Sequence, residues 1–347
     1  MLRNLTIQNY RCFENFHMDG LERVNLFVGN NNSGKTSLLE AIYLFVEQNK
    51  YHALIDVLLS REEIIEDTYN NRQTLGSKTY IHIEPIKHIF YNHKFASGYD
   101  IRMSSNIINN ISANLLISRA HQSLYVSNWV DNKPEKKQSI SIPLIKNNIL
   151  ELNDNTFSYY SNNNIYLSKN KETTEQLVIF WDNIYLTKKE NKVVESLQIL
   201  EPKIERIGFF KQGFYNIVRL KFSGQEHPIP LTSMGEGMYR ILVLAMSLVT
   251  AENGVLLVDE IETGLHYEAQ TDMWRLILET AKELNVQVFA TTHSWDCIAA
   301  FQEALSQVED SSIGKLFRLD SKYGKLRAVE YDAEDLDIAV RNSIEVR

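Results

Sequence analysis

Cysteine is nearly missing: Cys12 and Cys297 are the only two in 347 residues, far apart and in no paired spacing. That excludes a disulfide scaffold and a cysteine-based zinc framework, and it fits a reducing compartment in which both thiols are simply packed. Long apolar runs are missing too. The longest lies near Ile241 to Met246, far short of the roughly 20 residues of a membrane span, and the N-terminus is too polar for a secretory signal. A cytoplasmic chain with no membrane partner is expected. No heptad pattern lasts long enough for an extended coiled coil. Positive charge is not in surplus, the net charge being −8, so no broadly basic nucleic-acid surface is expected, although a local patch can sit inside an acidic total. His82, His88 and His93 match no metal-ligand spacing.

What is present is apolar content of 44%, enough for a sizeable core, and one stretch that organises the rest. Gly29-Asn30-Asn31-Asn32-Ser33-Gly34-Lys35-Thr36 has two glycines four residues apart followed by Lys and Thr, the pattern of a phosphate-binding P-loop. Val24 to Val28 before it suits a buried parallel strand, and Leu38, Leu39, Ile42 and Phe45 form a helical stripe behind it. Strand, loop and helix in that order are the context the motif needs. Glycines at 29 and 34 are expected to let backbone N–H groups approach a phosphate chain. Lys35 would supply a cation to the β- and γ-phosphates, and Thr36 a hydroxyl to Mg²⁺. Ser37 follows in the first turn of a helix whose positive end faces the anion.

A second strand, Gly254 to Val258, delivers Asp259 and Glu260 at its C-terminal end, the edge at which open parallel sheets hold ligands. Two carboxylates there can divide the work, Asp259 holding Mg²⁺ and Glu260 activating the attacking water. Val286 to Ala290 reads as a further buried strand, with His293 following at the same edge and able to meet the γ-phosphate or the water. Leu231 to Gly237 opens a helix, so Ser233 and Gly235 make a second anion site. One P-loop leaves no use for two such sites in a monomer, which points to a dimer closing over nucleotide.

Elsewhere the sequence is less explicit. Met1 to Gln8 alternates as an opening strand, and Arg11 in Asn9-Tyr-Arg-Cys-Phe13 either stacks on adenine or lines an edge strand. Tyr51 to Asn71 looks helical, Thr79 to His93 strand-like, and 94–185 a set of hairpins with polar turns, with Asn164 to Leu167 as one short strand. Lys188 to Leu200 reads as a helix and Phe209 to Phe222 as strand. Lys203, Arg206, Lys211, Arg219 and Lys221 are a local basic excess that reads as solvated strand faces ahead of a DNA patch. Asp335 and Asp337 fall at the start of a closing helix, where acids suit the dipole.

The order of these motifs resembles an ABC-type ATPase head. More narrowly, Leu5-Thr-Ile-Gln-Asn-Tyr-Arg-Cys-Phe13 ahead of the P-loop resembles the RecF, SMC and OLD branch. The resemblance covers residues 1–50 and 225–300. It implies an α/β fold, a P-loop NTPase parallel-sheet core with an antiparallel β layer and a helical insertion. The chain would be one discontinuous domain over 1–347, with core halves 1–50 and 206–347 and an insertion at 51–205. It implies ATP and Mg²⁺ as ligands, and a signature motif at Ser233, Gly235 and Glu236 acting on nucleotide held by the other copy of a head-to-tail homodimer, or of a larger oligomer built from dimers. Residues Glu262 to His266 stand at the D-loop.

SMC-like members carry a long coiled coil and OLD nucleases a Toprim domain after the ATPase; neither is expected here. The layout is similar to stand-alone ATPase subunits of bacterial anti-phage systems, whose nuclease or toxin effector is a separate protein. The alternatives are a RecF-like repair ATPase that binds DNA and a scaffold that holds ATP without hydrolysing it.

Overall fold

The computed structural model describes all residues except 48–50, 64–66, 70–77, 83, 95, 97, 108–110, 121–122, 131–137, 144–148, 154–162, 169–173, 213–214 and 323–324. The chain divides into two compact units, one made of 1–21, 31–161 and 319–329, the other of 22–30, 162–318 and 330–347.

The first unit is built on a six-stranded antiparallel sheet in the order Phe13–Met18, Leu5–Tyr10, Ile101–Ile107, Ile111–Ala120, Ser123–Val130, Gln138–Pro143. Its register follows from the two-residue period of a half-buried strand. Leu5, Ile7 and Tyr10 sit opposite Met18, Phe16 and Phe13, and Ile101 and Met103 opposite Ile117 and Leu115, so that apolar side chains share one face. The helix Lys35–Val46 buries Leu38, Leu39, Ile42 and Phe45, the stripe expected from a 3.6-residue period. A second helix, Tyr51–Ser60, stops eleven residues before the expected end, and Asp67–Tyr69 is a strand. Within the stretch expected to be a strand, only Lys78–His82 is one; Glu84–Ile89 and Tyr91–His93 are 3₁₀ turns.

The second unit holds parallel strands in the order Asn164–Leu167, Val255–Val258, Gln287–Thr291, Val24–Val28, with the start of Gly314–Lys322 beyond. Strands covered on both faces read as continuous apolar runs, and Val24–Val28, Val255–Val258 and Gln287–Thr291 are buried throughout. Asn164–Leu167 is not a hairpin strand of the middle region: it pairs in parallel with Val255–Val258. Four residues are too few to show a period, so only the pairing reveals it. The helices Glu236–Thr250, Gln270–Glu283 and Trp295–Gln307 pack in this unit, with the Trp274 ring 4.7 Å from Phe301 and its Nε1–H donating to the Cys297 carbonyl at 3.2 Å. The stretch expected as strand at 209–222 is a hairpin, Ile204–Gln212 against Tyr215–Phe222, extended by Ile229–Pro230. Among the described residues no helix is long and apolar enough to cross a membrane.

Candidate nucleotide site

Parallel register brings three loops to one edge of the sheet. Val258 pairs with Ala290 and Thr291 with Phe27. The residues that follow, Asp259, Thr292 and Gly29, therefore leave their strands at nearly the same level. Inter-strand bonds continue past the strand ends, from Thr292 N–H to the Phe27 carbonyl and from Asp259 N–H to the Leu167 carbonyl.

The P-loop backbone takes conformations its residues favour. Gly29 has φ +147°, Asn32 +62° and Gly34 +92°, values open to Gly and tolerated by Asn. Gly34 is constrained from behind: a Cβ there would lie 2.8 Å from Cys12 Sγ and 3.3 Å from the Phe13 ring. Close packing against the opening hairpin is thus a reason for this glycine that the motif alone does not give. Asn30, Asn31 and Asn32 are exposed, and Ser33 is half-buried with its Oγ 3.5 Å from Lys35 Nζ. Lys35 is buried and Thr36 half-buried at the start of a helix whose N-cap, Gly34, offers no side-chain oxygen.

The acidic edge is wired by one hydroxyl. Thr291 Oγ donates to Asp259 Oδ1 at 2.6 Å and accepts from Glu260 N–H at 2.8 Å. Asp259 is buried. Glu260, at φ +49°, turns its side chain outward to 39% exposure, with Oε1 3.9 Å from Nε2 of the equally exposed His293. That separation exceeds a hydrogen bond. His293 is fixed through its backbone, its N–H donating to Glu262 Oε1 at 3.1 Å and its carbonyl accepting from Arg347 Nη1 at 3.0 Å.

From the helix Glu236–Thr250, Arg240 reaches the same turn. Its Nη2 donates to the carbonyls of Asp259 (3.4 Å) and Glu260 (3.1 Å), and its Nε to that of Ile261 (3.4 Å). Thr291 and Arg240 carry no role in the sequence reading, and Glu262 is expected there only as part of the D-loop. The one available signal is an arginine inside an otherwise apolar helix.

Ser233, Gly235 and Glu236 are exposed at the N-terminus of Arg240's helix, where Gly235 (φ +84°) caps without a side chain. At Gly264 of the D-loop stretch (φ +80°), a Cβ would lie 3.5 Å from Glu236 Cβ. His266 is exposed beside Tyr267.

Arg11 and Ser37 meet elsewhere, in a cluster of the first unit. Arg11 (φ +46°) pairs through Nε with Glu40 Oε2 at 2.7 Å and through Nη1 with Glu63 at 2.7 Å; Arg61 pairs with Glu40 Oε1 at 2.6 Å and donates to Ser37 Oγ at 3.2 Å. Burial pushes the Glu40 carboxyl up, and the two guanidiniums oppose it.

Among the described residues no cluster of three His, Cys, Asp or Glu side chains forms a metal cage. His88 and His93 share a 3.2 Å contact between Nδ1 atoms, and the His82 side chain lies outside the described residues. Asp335 is in the first turn of its helix, whereas Asp337 lies beyond it and pairs with Arg341.

The chain matches the AAA ATPase domain model over residues 1–226 and 187–298. It is 24% identical to an ATP/GTP phosphatase of Helicobacter pylori, across 99% of this chain and 98% of that protein. It is also 24% identical to an OLD nuclease of Thermus scotoductus, covering 85% of this chain and 59% of the relative. In fold it is similar to a crystallised Smc head bound to the C-terminal winged-helix domain of ScpA, with TM-score 0.56, 13% identity and coverage of 97% and 99%. A P-loop, a strand ending in Asp259-Glu260 and a head-like α/β fold thus come together in a chain that belongs to the AAA ATPase domain family, an ATPase of the RecF, SMC and OLD type.

Proposed function

We propose that this ATPase binds Mg-ATP at Gly29 to Thr36 and hydrolyses it slowly, at a rate set by head-to-tail dimerisation. The observation that carries the reading is the Thr291 hydroxyl, which ties Asp259 and Glu260 together while leaving one carboxylate buried and the other turned outward beside His293. Two acids in such different surroundings can take two roles. Asp259 and Thr36 are of the oxygen-donor type that suits Mg²⁺, which would neutralise charge on the phosphates. Lys35 and the loop N–H groups take the remaining phosphate charge, Glu260 accepts the proton of the attacking water, and His293 orients that water. Arg11, expected either to stack on adenine or to line an edge strand, is engaged by Glu40 and Glu63.

Ser233 and Gly235, at an exposed helix end with no capping side chain, are suited to meet nucleotide on a second copy. A catalytic set completed only by a partner makes hydrolysis report on assembly. On that ground we assign the chain the role of a cytoplasmic sensor whose nucleotide state gates a separate effector.

The test is turnover and mass by light scattering, with ATP and GTP in parallel. Lys35→Ala is expected to lose nucleotide binding. Glu260→Gln is expected to bind ATP, lose about 10²- to 10⁴-fold in turnover and accumulate as a dimer. Glu260→Gln turning over at the native rate would overturn the assignment of the base; a monomer at all nucleotide states would overturn the dimer.

A further inference from the structure

His293 is aimed by its backbone. Among the described residues its imidazole makes no hydrogen bond, the Glu260 carboxylate standing 3.9 Å away. The direction of the side chain therefore follows from the two planar peptide groups that flank its Cα. The first is held where His293 N–H donates to Glu262 Oε1 at 3.1 Å. The second is held at both ends, by Ser294 N–H donating to Thr292 Oγ1 at 3.0 Å and by the His293 carbonyl accepting from Arg347 Nη1 at 3.0 Å. Glu262 and Thr292 belong to the strand-end loops themselves, whereas Arg347 arrives from a separate segment.

A helix ending brings it there. After the helix Ala333–Arg341, Ser343 N–H donates to the Val340 carbonyl and Ile344 N–H to that of Ala339, the two bonds of a Schellman reversal. Ser343 takes the left-handed position, at φ +52°, where glycine is the relaxed choice. The reversal carries Val346 into complete burial, which anchors the segment by packing alone. The Arg347 side chain, by contrast, is 40% exposed. Its Nε and Nη2 form a fork on the Glu345 carboxylate at 2.8 and 3.1 Å, which fixes the guanidinium plane and leaves Nη1 for the His293 carbonyl. Asp296, in the first turn of the helix that follows His293, adds a second negative charge near the same cation.

We propose that Arg347 is a positioning residue for hydrolysis, holding the peptide of His293 so that the imidazole stands beside Glu260. The proposal rests on the reading of His293 as the group that orients the attacking water. Released from Arg347, the His293 carbonyl is free to turn towards solvent, and the Cα–Cβ bond swings with it. A displacement of about 1 Å at a reacting centre can cost on the order of 10²-fold in rate. Arg347 itself contacts Glu345 and the His293 backbone, so its effect falls on kcat and leaves nucleotide affinity alone.

The test is a double-mutant cycle on steady-state turnover of Mg-ATP by the full chain, with Arg347→Ala, His293→Ala and the pair at one protein concentration. Arg347→Ala is expected to lower kcat about 3- to 30-fold, with KM for ATP within about twofold. Its urea midpoint should stay native, because Val346 carries the anchoring. In the His293→Ala background the same substitution should change kcat by less than about 1.5-fold. Arg347→Lys, which keeps a cation for the carbonyl but not the fork, should fall between the native chain and Arg347→Ala. A native kcat for Arg347→Ala where His293→Ala is slow would overturn the proposal and leave the reading of His293 standing. So would a loss of full size in the His293→Ala background, since Arg347 would then act by another route. A native kcat for His293→Ala would overturn that reading and the proposal with it.

Discussion

Thr291→Val removes one oxygen from a fully buried side chain and keeps its shape. The lost hydroxyl donates to Asp259 Oδ1 at 2.6 Å and accepts from Glu260 N–H at 2.8 Å. A hydrogen bond to a charged group contributes about 1.5–3 kcal/mol and a neutral one about 0.5–1.5, so the variant should lose about 2–4 kcal/mol. With a urea dependence of roughly 3 kcal/mol per molar, the midpoint should fall by about 1 M. The functional effect follows from the backbone. Glu260 sits at φ +49°, a left-handed conformation that costs a non-glycine residue about 1–2 kcal/mol. Without its acceptor the turn relaxes and the Glu260 carboxylate loses its aim. Turnover should drop about 10- to 100-fold while KM for ATP stays within about threefold, the pattern of an interaction made in the transition state. Thr291→Ser retains both bonds and should keep kcat within about twofold. A Val variant with native midpoint and native kcat would refute the reasoning. So would a Ser variant as damaged as Val, since the methyl and not the hydroxyl would then be what matters.

Two further substitutions test the scaffold around the site. Gly34→Ala should cost about 1–2 kcal/mol through its φ of +92° and about 1–3 more through the clash with Cys12 and Phe13, with ATP affinity falling in parallel; a native urea midpoint would show that the loop adapts. Arg240→Met keeps the aliphatic stem and removes the donors to three successive carbonyls, so it should lose about 1–3 kcal/mol of stability and at least about tenfold in kcat with nucleotide affinity unchanged, read by isothermal titration beside steady-state turnover.

Most of the second unit's sheet is legible in the chain because of how buried parallel strands are written. Val24–Val28 and Val255–Val258 are short apolar runs that stop at residues with a chemical task, and each contrast marks a strand end. The helix behind the P-loop shows itself through Leu38, Ile42 and Phe45. Asn164–Leu167 is legible as a strand but not as a member of this sheet, since its partner is 91 positions away. Separation in sequence also hides the Arg11 cluster. Arg11 beside Tyr10 and Phe13 invites an aromatic or nucleotide role, yet its acceptors Glu40 and Glu63 are 29 and 52 residues further on. Thr291 is hidden for a different reason: as a β-branched residue ending a buried strand it satisfies the local pattern whether or not its hydroxyl has work to do.

Arg240 shows what the sequence order of the motifs leaves unstated. Ser233, Gly235 and Glu236 begin a helix, and Asp259 and Glu260 end a strand, so nothing in spacing links them. Arg240 lies one turn into that helix and binds the carbonyls of Asp259, Glu260 and Ile261. Its guanidinium is planar and permanently charged, and its several donors hold the turn from a fixed direction. The turn also contains the strained Glu260 backbone, so a small rotation of the helix changes the support on which that strain depends. A Cβ on Gly264 would come within 3.5 Å of Glu236 Cβ, so the D-loop stretch runs close beside the start of the same helix. Contact of a second copy with Ser233 would therefore bear on Glu260 through a chain of named contacts about one helical turn long. That is a physical route by which dimer closure, and not nucleotide binding alone, can set the rate of hydrolysis.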